Sequence, residues 1–494
     1  MYKSEQVNST IDKNGLVKRL QRFLPEESIL HAAEDLHPYE CDGLSAYRSV
    51  PLVVLLPDSI EQIRQIMLLC YEFDVPVVAR GAGTGLSGGA LPHEQGVLLS
   101  LAKFRDIIEI EPHRRIARVQ PGVRNLAISQ AVDKYGLYYA PDPSSQIACT
   151  IGGNVAENSG GVHCLKYGLT VHNIQQIKIV TMEGELLTLG GSGLDSAGYD
   201  LLALMTGSEG MLGIIVEITV KLLPKPERAQ VILAAFDDVV KAGEAVGNII
   251  SAGIIPGGLE MMDKLAIQAA EDFVHAGYPV EAEAILLCEL DGTNEEVSEH
   301  ILKVRSVLKE SGAIEVRTAK DEAERMNFWK GRKAAFPAVG RISPDYYCMD
   351  GTIPRKQLPK VLKAMAELSK EYNLPVANVF HAGDGNLHPL ILYDANIPGE
   401  LERTEEFGGK ILEICVEVGG TITGEHGVGM EKINQMCVQF DTLELTQFHS
   451  VKAAFDAKGL LNPGKAVPTL HRCAEFGAMH VHKGELPFPE LERF

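Results

Sequence analysis

The stretch RGAGTGLSGG at residues 80–89 decides the fold of the first part of this chain. It follows the apolar run Val75–Ala79, which is typical of a buried strand, but it lacks the Lys-Ser/Thr pair of a P-loop and matches GxGxxG only loosely. Its small residues let successive backbone N–H groups converge into an anion-binding nest, to which Thr84 and Ser87 can add hydroxyl donors. We expect a dinucleotide pyrophosphate here or, as the alternative, a glycine-rich surface turn.

Strands and helices alternate on both sides of this loop. Val53–Leu56 has the composition of a strand, and Ser59 is the predicted N-cap of a helix that extends through Tyr71. The alternation continues to about Leu223, where Pro224–Arg228 has the composition of a linker. This pattern predicts an α/β domain.

Two further segments of this domain are rich in glycine and polar residues. PDPSS at 141–145 leads to CTIGGNVAENSGG at 149–161, which offers amides and hydroxyls, with glycine where a planar ring system can approach the backbone. GSEGMLGI at 207–214 then opens a strand that ends at Leu223. Together the segments favour a bound dinucleotide over a surface turn.

Beyond the linker, strands joined by long helices predict an α+β domain. We expect strands at Val231–Phe236 and Ala284–Leu290, and helices near 239–252, 294–311, 358–372 and 401–418. The predicted organisation is a helical leader (1–47), a first domain (48–226), a second domain (227–466) and a tail (467–494). The tail is expected to dock or cap the fold, because its histidines and cysteine match no metal-ligand pattern: His471, Cys473, His480 and His482.

A predicted hairpin in the second domain carries two histidines. In HAGDGNLH at 381–388, Asp384-Gly385 is a preferred two-residue turn. Folding the chain about this turn places His381 directly opposite His388, with Cβ atoms roughly 5 Å apart on one face. Two such imidazoles can hold one cation, although two incidental histidines on a polar hairpin are the alternative.

A second short run, TGEHGVG at 423–429, adds Glu425 and His426. Three imidazoles and a carboxylate among glycines are what a metal-assisted or acid–base site requires. Neither a core nor a solvated surface requires that combination. The two runs are therefore the predicted chemical centre of the chain.

The bulk composition excludes several classes of protein. A chain of 494 residues is too long for one ordinary core, and its net charge of −20 argues against nucleic acid and anionic membrane surfaces as partners. No apolar run approaches the roughly 18 residues of a spanning helix, and the amino terminus lacks the apolar segment of a signal peptide. The nine scattered cysteines contain no CxxC pair, which suits reduced thiols and argues against an iron–sulfur cluster in this chain. We expect a cytoplasmic protein without direct membrane insertion.

The three glycine-rich segments, in this order and spacing, resemble the FAD-binding domain of the vanillyl-alcohol oxidase/PCMH flavoprotein superfamily. The HAGDGNLH and GEHGVG runs resemble its branch of D-2-hydroxyacid dehydrogenases, and FDAKGLLNPGK at 455–465 resembles the closing motif of that branch. The resemblance covers about residues 48–466. It implies the α+β class, with a PCMH-type FAD-binding domain, then an α+β substrate or cap domain, and a carboxyl terminus that returns to the flavin.

The resemblance also implies where FAD is held. Residues 80–89 correspond to the pyrophosphate segment, 143–145 and 150–161 to the isoalloxazine and ribityl walls, and 207–214 to the adenine side. The first loop has no histidine for covalent attachment, so we expect non-covalent FAD. The residues so assigned are Arg80, Gly81, Gly83, Thr84, Gly85, Ser87, Gly88, Pro143, Ser144, Ser145, Thr150, Gly152, Gly153, Asn154, Asn158, Gly160, Gly161, Glu209, Gly210, Gly213, Ile214 and Asn462.

Relatives of this branch hold a divalent metal, and the resemblance places zinc or manganese on His381, His388 and Glu425. A metal-free site is the alternative. His426 corresponds to the general base of the family. Arg332 corresponds to the arginine that binds the substrate carboxylate; a surface charge beside neighbouring lysines is the alternative for this residue.

Departures from the family pattern predict the substrate. Phe336 and Cys348 stand where relatives that act on 2-hydroxyglutarate have a hydroxyl residue and a lysine, and Leu390 replaces an asparagine. Such a pocket favours glycolate, with D-lactate as the alternative. Enzymes of this kind that oxidise glycolate work with a second flavin-type subunit and an iron–sulfur subunit, which we expect as partners. A flavin-carrying scaffold with little activity is the remaining alternative.

Overall fold

The computed structural model describes residues 12–193 and 196–469. Within these ranges the chain is a mixture of helices and sheets, so the prediction of an α+β class is confirmed. Over the same ranges, no helix combines the length and the apolar character that crossing a bilayer demands. The predicted tail at 467–494 lies outside the described residues beyond position 469, and so do His471, Cys473, His480 and His482.

The first region, up to residue 226, contains two sheets and a two-stranded ribbon. Its strands are β1 Ile29–Leu30, β2 Val53–Leu55, β3 Val77–Arg80, β4 Val97–Ser100, β5 Ile107–Glu111, β6 Ile116–Val119, β7 Leu137–Tyr138, β8 Ile174–Val180, β9 Leu186–Gly190, β10 Ile214–Lys221 and β11 Leu223–Pro224. The first sheet has the order β1-β2-β4-β3 and the second the order β5-β6-β10-β8-β9, while β7 pairs with β11. The glycine-rich loop at 80–89 therefore leaves the carboxyl end of an edge strand, β3.

Helices of this region pack on the sheets. They are α1 Lys13–Leu20, α2 Ala33–Leu36, α3 Ile60–Glu72, α4 Asn125–Val132, α5 Ile151–Glu157, α6 Cys164–Tyr167, α7 Thr170–Asn173 and α8 Leu201–Met205, with 3-10 turns at Glu26–Ser28, His37–Tyr39 and Asp133–Tyr135. Ser59 caps α3 as predicted, because its hydroxyl accepts a hydrogen bond from Gln62 N at 3.4 Å.

The prediction of alternating α/β structure as far as Leu223 is only partly right. Strands β2, β4 and β3 are parallel, but β5, β6, β8, β9 and β10 form an antiparallel sheet. The connections β5–β6 and β8–β9 are short loops, and a parallel pair needs a long crossover. The leader also contributes more than helix, because Ile29 of β1 pairs with Leu55 of β2.

The second region is built on one antiparallel sheet. Its strands are β12 Arg228–Phe236, β13 Gly258–Asp263, β14 Ala284–Gly292, β15 Glu315–Thr318, β16 Asp345–Cys348, β17 Val376–Phe380 and β18 Pro389–Tyr393. They lie in the order β15-β12-β14-β13-β17-β18-β16. The hairpin histidines therefore lie beside β13, near the middle of the sheet.

Helices cover both faces of this sheet. They are α9 Val239–Ser251, α10 Lys264–Val274, α11 Asn294–Glu310, α12 Glu322–Val339, α13 Leu358–Tyr372, α14 Glu400–Glu417, α15 Met436–Gln439 and α16 Thr442–Phe455, with a 3-10 turn at Arg355–Gln357. The predicted helices near 239–252, 294–311, 358–372 and 401–418 are confirmed as α9, α11, α13 and α14.

The two faces of the large sheet have different partners. One face packs on α9, α11, α13 and α14, with Leu286 of β14 and Phe380 of β17 in that core. The other face packs on α10 and α12, with Leu287 of β14 and Val379 of β17. Because side chains alternate along a strand, this second face also carries Glu260 of β13 and Glu289 of β14.

The carboxyl-terminal segment returns to the first region, as predicted. Leu461 forms a parallel bridge with Val77 of β3, and Asn462 N donates to Val77 O at 2.8 Å. The Asn462 amide also donates to Gly89 O at 2.9 Å and to Glu209 O at 2.6 Å. This segment therefore fastens the glycine-rich loop to the strand that begins at 214.

The cysteines follow the prediction of reduced thiols with one exception among the described residues. Seven are free thiols: Cys41, Cys70, Cys149, Cys164, Cys288, Cys348 and Cys415. Cys437 is disulfide-bonded, so the prediction is wrong at that position.

Candidate active site

A cavity of about 390 Å³ lies between the glycine-rich loops and the second region. His388, Glu425 and His426 line it, so the two sets of residues that the sequence singled out share one space. Most of the residues assigned to FAD line the same cavity: Arg80, Gly81, Gly83, Thr84, Gly85, Pro143, Ser144, Ser145, Thr150, Gly152, Gly153, Asn154, Glu209, Gly210 and Gly213.

The glycines of the cavity wall show whether a large flat cofactor fits. A Cβ built on Gly85 or Gly210 meets nothing within 4 Å, so open space begins at the backbone of both loops. At Gly152, by contrast, a Cβ would lie 2.5 Å from Pro121 Cβ, and close packing between protein segments requires the glycine. The first pair leaves room for a ligand against the backbone, which fits FAD.

The other residues assigned to FAD lie behind the wall. Ser87, Gly88, Asn158, Gly160, Gly161, Ile214 and Asn462 do not line the cavity. The Ser87 carbonyl accepts hydrogen bonds from Met430 N at 2.9 Å and Glu431 N at 3.1 Å. Asn158, with φ of 54°, caps α5 and accepts from Val171 N at 2.9 Å. In the structure these two residues fix the loops from outside the cavity.

Arg80 lines the cavity, but its guanidinium forms hydrogen bonds within the protein. Its two Nη atoms donate to Tyr39 O at 3.1 Å and Ala90 O at 2.6 Å. Asp42 Oδ2 accepts from Ala90 N at 3.2 Å, so the arginine and the aspartate hold the same turn. The residue fixes the shape of the nest that the sequence predicted.

The hairpin register differs from the predicted one. His381 bridges Asn386 rather than His388, because the loop contains four residues, 382–385, with Gly385 at φ of 87°. Asp384 Oδ1 accepts from Asn386 N at 3.0 Å and stabilises this longer turn. A shift of two positions keeps both histidines on one face, and their ring centroids lie 5.0 Å apart.

His381, His388 and Glu425 converge in the structure. One ligand atom from each lies within 4.8 Å of the others. Glu425 Oε1 lies 3.2 Å from His381 Nε2 and 2.9 Å from His388 Nε2. Burial raises the pKa of Glu425, but the neighbouring histidines lower it well below its ordinary value, so the carboxylate is ionised.

A carboxylate that the sequence analysis missed orients the first of these histidines. Both oxygens of Glu260 lie 2.9 Å from His381 Nδ1. Burial lowers the pKa of His381, but Glu260 and Glu425 raise it well above its ordinary value. The sequence feature that could have identified Glu260 is a charged residue inside the apolar strand segment GLEMMD.

Arg332 is buried, so its interpretation as a surface charge is wrong. Its side chain is 2% exposed, and Nη2 lies 2.7 Å from Glu260 Oε2. It does not line the cavity, whereas Lys333 and Phe336 of the same helix do. Arg332 Nε has no hydrogen-bond partner among the described residues.

His426 lines the cavity beside His388. Their rings stack with centroids 4.9 Å apart, and His426 Nε2 lies 3.9 Å from Glu425 Oε1. Burial lowers the pKa of His426 to about 4, although Asp350 opposes the shift. The imidazole is therefore neutral near pH 7, and Nδ1 has no hydrogen-bond partner in the described part of the chain.

Asp350, which the sequence analysis also missed, shapes the loop that presents Glu425 and His426. Its Oδ2 accepts from His426 N at 2.9 Å, Gly424 N at 3.0 Å and Thr423 Oγ1 at 2.6 Å. Burial raises the pKa of Asp350, but His426, Lys432 and His388 lower it well below its ordinary value. An ionised carboxylate surrounded by amides explains how a glycine-rich loop holds one conformation.

Glu209 holds the same loop from the first region. Its Oε1 accepts from Val428 N and its Oε2 from Gly429 N, both at 2.7 Å. Glu157, also in the cavity wall, has an Oε2 without a partner in the described residues, and burial raises its pKa well above the ordinary value. Thus the carboxylate of Glu209, which was assigned to FAD, accepts hydrogen bonds from backbone amides of the protein.

A further buried carboxylate, that of Glu289, connects the two regions at the cavity. His163 Nδ1 lies 2.9 Å from Asp142 Oδ2, and His163 Nε2 lies 3.0 Å from Glu289 Oε1. Glu289 Oε2 accepts from Trp329 Nε1 at 2.6 Å and Arg325 Nη1 at 2.7 Å. Asp142 directly precedes the cavity residues 143–145, and α12 carries Phe336, so this chain of contacts links both walls.

Comparison with known proteins agrees with this architecture. Residues 51–190 match the FAD binding domain family, and residues 225–466 match the family of FAD linked oxidases, C-terminal domain. The glycolate oxidase subunit GlcD of Escherichia coli strain K12 is 69% identical over 484 residues, which are 98% of this chain and 97% of that protein. A D-lactate dehydrogenase of Anaerostipes hadrus is 32% identical over 460 residues, 91% and 96% of the two chains.

A solved structure shows that the fold itself is shared more widely. The crystal structure of p-cresol methylhydroxylase with substrate bound matches 94% of this chain and 98% of its own, with a TM-score of 0.78 at 17% identity. The fold of the two regions therefore recurs beyond the sequence relatives. This chain belongs to the family of FAD-linked oxidases and is an FAD-dependent oxidoreductase.

Proposed function

We propose that this chain oxidises a short 2-hydroxyacid, glycolate, to glyoxylate as the FAD-carrying D subunit of a multi-subunit glycolate oxidase. The observation that carries the proposal is that one cavity is lined by the glycine-rich loops together with His388, Glu425 and His426. The extensive identity with E. coli GlcD supports the choice of glycolate. The lower identity with a D-lactate dehydrogenase supports D-lactate as the second candidate.

FAD bound non-covalently in the cavity supplies the acceptor for the substrate hydride. The backbone of residues 80–85 and of 150–154 would hold it, since residues of both segments line the cavity and open space begins at Gly85. The protein's part in hydride transfer is orientation, because a hydroxyacid held against the cavity wall reacts without the entropy cost of an encounter.

We also propose a divalent cation, zinc or manganese, on His381, His388 and Glu425. Neither ring nitrogen of His388 makes a hydrogen bond within the described residues, although Nε2 lies 2.9 Å from Glu425 Oε1, the oxygen that also contacts His381 Nε2 at 3.2 Å. A histidine that approaches a carboxylate without hydrogen bonding suits a ligand that faces a common ion, and Glu260 orients His381 as an outer carboxylate commonly does. A cation here would lower the pKa of a hydroxyl beside it.

His426 is the proposed base for the substrate hydroxyl proton. Its ring lines the cavity, is neutral near pH 7 and has an unpartnered Nδ1. A pKa of about 4 makes the isolated ring a weak base. A substrate carboxylate that enters the cavity adds the negative charge that raises this pKa toward the working range.

Arg332, which lies behind the cavity wall next to the lining residue Lys333, is the proposed cation for the substrate carboxylate. Its Nε is a buried donor without a partner among the described residues, and Glu260 fixes the other side of its guanidinium. Phe336 in the cavity wall, with its ring 6.5 Å from that of His388, limits the length of the acid that fits. Cys348 is buried, and a cysteine carries no positive charge in either protonation state, so it offers no cation to a second carboxylate.

The electrons leave the flavin for another carrier, and we propose the same partners that the sequence predicted. They are a second flavin-type subunit and an iron–sulfur subunit, since E. coli GlcD is itself named as a subunit. Copurification of the tagged chain from its source with a protein that shows iron–sulfur absorption tests this proposal. The cytoplasmic location stays a prediction.

Anaerobic reduction of the purified flavoprotein tests the function directly. Glycolate, D-lactate and D-2-hydroxyglutarate are mixed separately with the enzyme, and flavin bleaching is followed before and after chelation. We expect glycolate to react fastest, with D-lactate within the 10- to 200-fold range that one methyl group contributes. Fastest bleaching by 2-hydroxyglutarate would overturn the substrate proposal, and bleaching unaffected by complete metal removal would overturn the cation.

The scaffold alternative makes the opposite prediction for His426. If the chain only carries flavin for a partner, His426→Gln leaves turnover of the assembled complex unchanged. If His426 is the base, flavin reduction falls by a factor of about 10²–10⁴. The FAD content of the variant serves as the control for folding.

A further inference from the structure

Cys348 brings a thiol next to the two stacked histidines. It lies opposite Leu390 in the β16–β18 pair, on the sheet face that also carries His388. One ligand atom each from Cys348, His388 and His426 lies within 4.8 Å of the others. This set shares only His388 with the ligand set His381, His388 and Glu425.

Two donors of this second set are unoccupied and the third is weakly held. His388 Nδ1 and His426 Nδ1 have no hydrogen-bond partner in the described ranges, whereas the buried Cys348 Sγ donates one hydrogen bond to Met349 O at 3.4 Å, which loss of the thiol proton would release. Both histidines line the cavity, so an ion that enters the cavity reaches them. One thiolate and two imidazoles form a softer donor set than two imidazoles and a carboxylate.

We propose that Cys348, His388 and His426 form a second site for thiophilic divalent cations, Zn²⁺ and Cd²⁺, which inhibits the enzyme. On binding, a metal–sulfur bond replaces the S–H bond of Cys348 and the proton passes to solvent. An ion on this set coordinates His388, which then no longer binds an ion held by His381 and Glu425. The two sites therefore compete for one imidazole. Mn²⁺ and Mg²⁺ prefer oxygen donors and do not fill the second site.

The inhibitory consequence rests on the proposed function, because the ion occupies His426, the proposed base. Its binding does not rest on that function, since the donor set exists whichever substrate the cavity takes. The experiment therefore measures metal–sulfur bonding and flavin reduction separately.

The test uses the full-length, FAD-loaded protein after chelation and resupply with MnCl₂, so that the proposed site of His381, His388 and Glu425 is filled while flavin reduction is followed. CdCl₂ is titrated while the ultraviolet cadmium–thiolate band is recorded, and X-ray absorption at the cadmium edge counts the ligands. We expect the band to grow with one sulfur and two nitrogen neighbours, and glycolate-driven bleaching to stop in parallel. MnCl₂ is expected to give no such inhibition.

Cys348→Ser should remove the band and raise the half-inhibitory Cd²⁺ concentration at least about tenfold, measured against the variant's own cadmium-free rate. Cys41→Ser is the matched control, because Cys41 is a half-buried free thiol that belongs to no three-ligand group in the described ranges. It should keep both the band and the inhibition. Ligand counting on the unmodified protein does not depend on the folding of either variant.

A cadmium–thiolate band that persists in Cys348→Ser, or a cadmium ion without a sulfur neighbour, would overturn the proposal. Loss of the band in this variant with unaltered inhibition would also overturn it, since the inhibition would then come from another site. A Cys348-dependent band without any inhibition would support the site and contradict the role of His426. Absence of bleaching by glycolate in the manganese-supplied, cadmium-free protein would count against the proposed function alone.

Discussion

Glu260 and Glu289 are buried on neighbouring strands of the large sheet, yet their partners differ. Glu289 pairs with Gly258 in the β13–β14 ladder, and Glu260 lies two residues further along the same face. Glu260 contacts His381 and Arg332, both from the second region and both assigned to the reaction. Glu289 contacts Trp329 and Arg325 on α12, and His163 from the first region. One carboxylate orients the site, whereas the other joins its two walls.

One face of the sheet therefore carries both a carboxylate that orients the site and a carboxylate that joins its two walls. Each glutamate faces two cationic partners, which offset the cost of burying a carboxylate. Burial raises the pKa of Glu260, but His381 and Arg332 lower it overall. Burial likewise raises the pKa of Glu289, but His163 and Arg325 lower it to about 2. Removing the charge of Glu260 should therefore mainly slow flavin reduction, whereas removing the charge of Glu289 should mainly lower the free energy of unfolding.

Among the substitutions that distinguish the two glutamates, the largest effect is expected for Glu260→Gln. The substitution keeps the size of the side chain but removes the charge that fixes His381 and Arg332. We expect flavin reduction by glycolate to slow by about 100-fold and metal affinity to fall by about 10- to 100-fold. Stopped-flow absorbance and metal content measure the two effects.

The control for Glu260→Gln is Glu289→Gln, because both replace a buried glutamate on the same sheet face by its amide. If the two variants slow flavin reduction equally at equal FAD content, the distinction between a site carboxylate and a joining carboxylate is wrong.

For Glu289→Gln we expect a loss of stability larger than the loss of rate. Its contacts with His163 and Arg325 become ordinary hydrogen bonds, which should lower the free energy of unfolding by about 2 kcal/mol. Flavin reduction should slow by less than about tenfold, because no residue assigned to the reaction contacts Glu289. Denaturant unfolding of the FAD-loaded protein gives the first number. An unchanged midpoint would show that the contact does not join the regions.

His163 gives the joining contact a pH dependence. Burial lowers its pKa, but Asp142 and Glu289 raise it well above 6.5. Above pH 6.5 the unfolded chain therefore binds fewer protons than the folded protein, so this contribution to stability falls as the pH rises. The slope is at most about 1.4 kcal/mol per pH unit.

We expect His163→Gln to remove this dependence. The free energies of unfolding of the protein and the variant, measured from pH 6 to pH 9, should differ most at pH 6 and converge as the pH rises. A difference that grows with pH would contradict the protonated state of His163. The Cys41→Ser variant, which changes no group of this contact, supplies the reference slope.

Much of the fold could be predicted from local sequence patterns, because apolar periodicity and capping residues act within a single helix or strand. The predicted helices in the second region have the observed positions, but α12 was not predicted. Gly331 and Pro337 lie inside α12, and both residue types argue against a helix. Its stability comes from packing against the large sheet, which no local pattern shows.

The sequence identified the residues that converge at the candidate site and missed the carboxylates that hold them. Histidines and a glutamate among glycines are a local signal, and the structure places His388, Glu425 and His426 in the cavity wall, with His381 in contact with Glu425. Glu260, Asp350 and Glu289 are single acidic residues whose partners lie 36 to 126 positions away. Their roles depend on which strands pair, so they became visible only in the folded chain.

The smallest effect is expected for Trp329→Phe, which removes one hydrogen bond of the joining contact. Trp329 Nε1 donates to Glu289 Oε2 at 2.6 Å, and Arg325 still contacts the same oxygen after the substitution. We expect the free energy of unfolding to fall by about 1 kcal/mol and flavin reduction to change by less than about threefold. Trp329 is the only tryptophan of the chain, so its fluorescence in the otherwise unmodified protein reports this contact. Glu289→Gln should shift that emission while Glu260→Gln leaves it in place, and equal shifts would show that the two carboxylates act as one network.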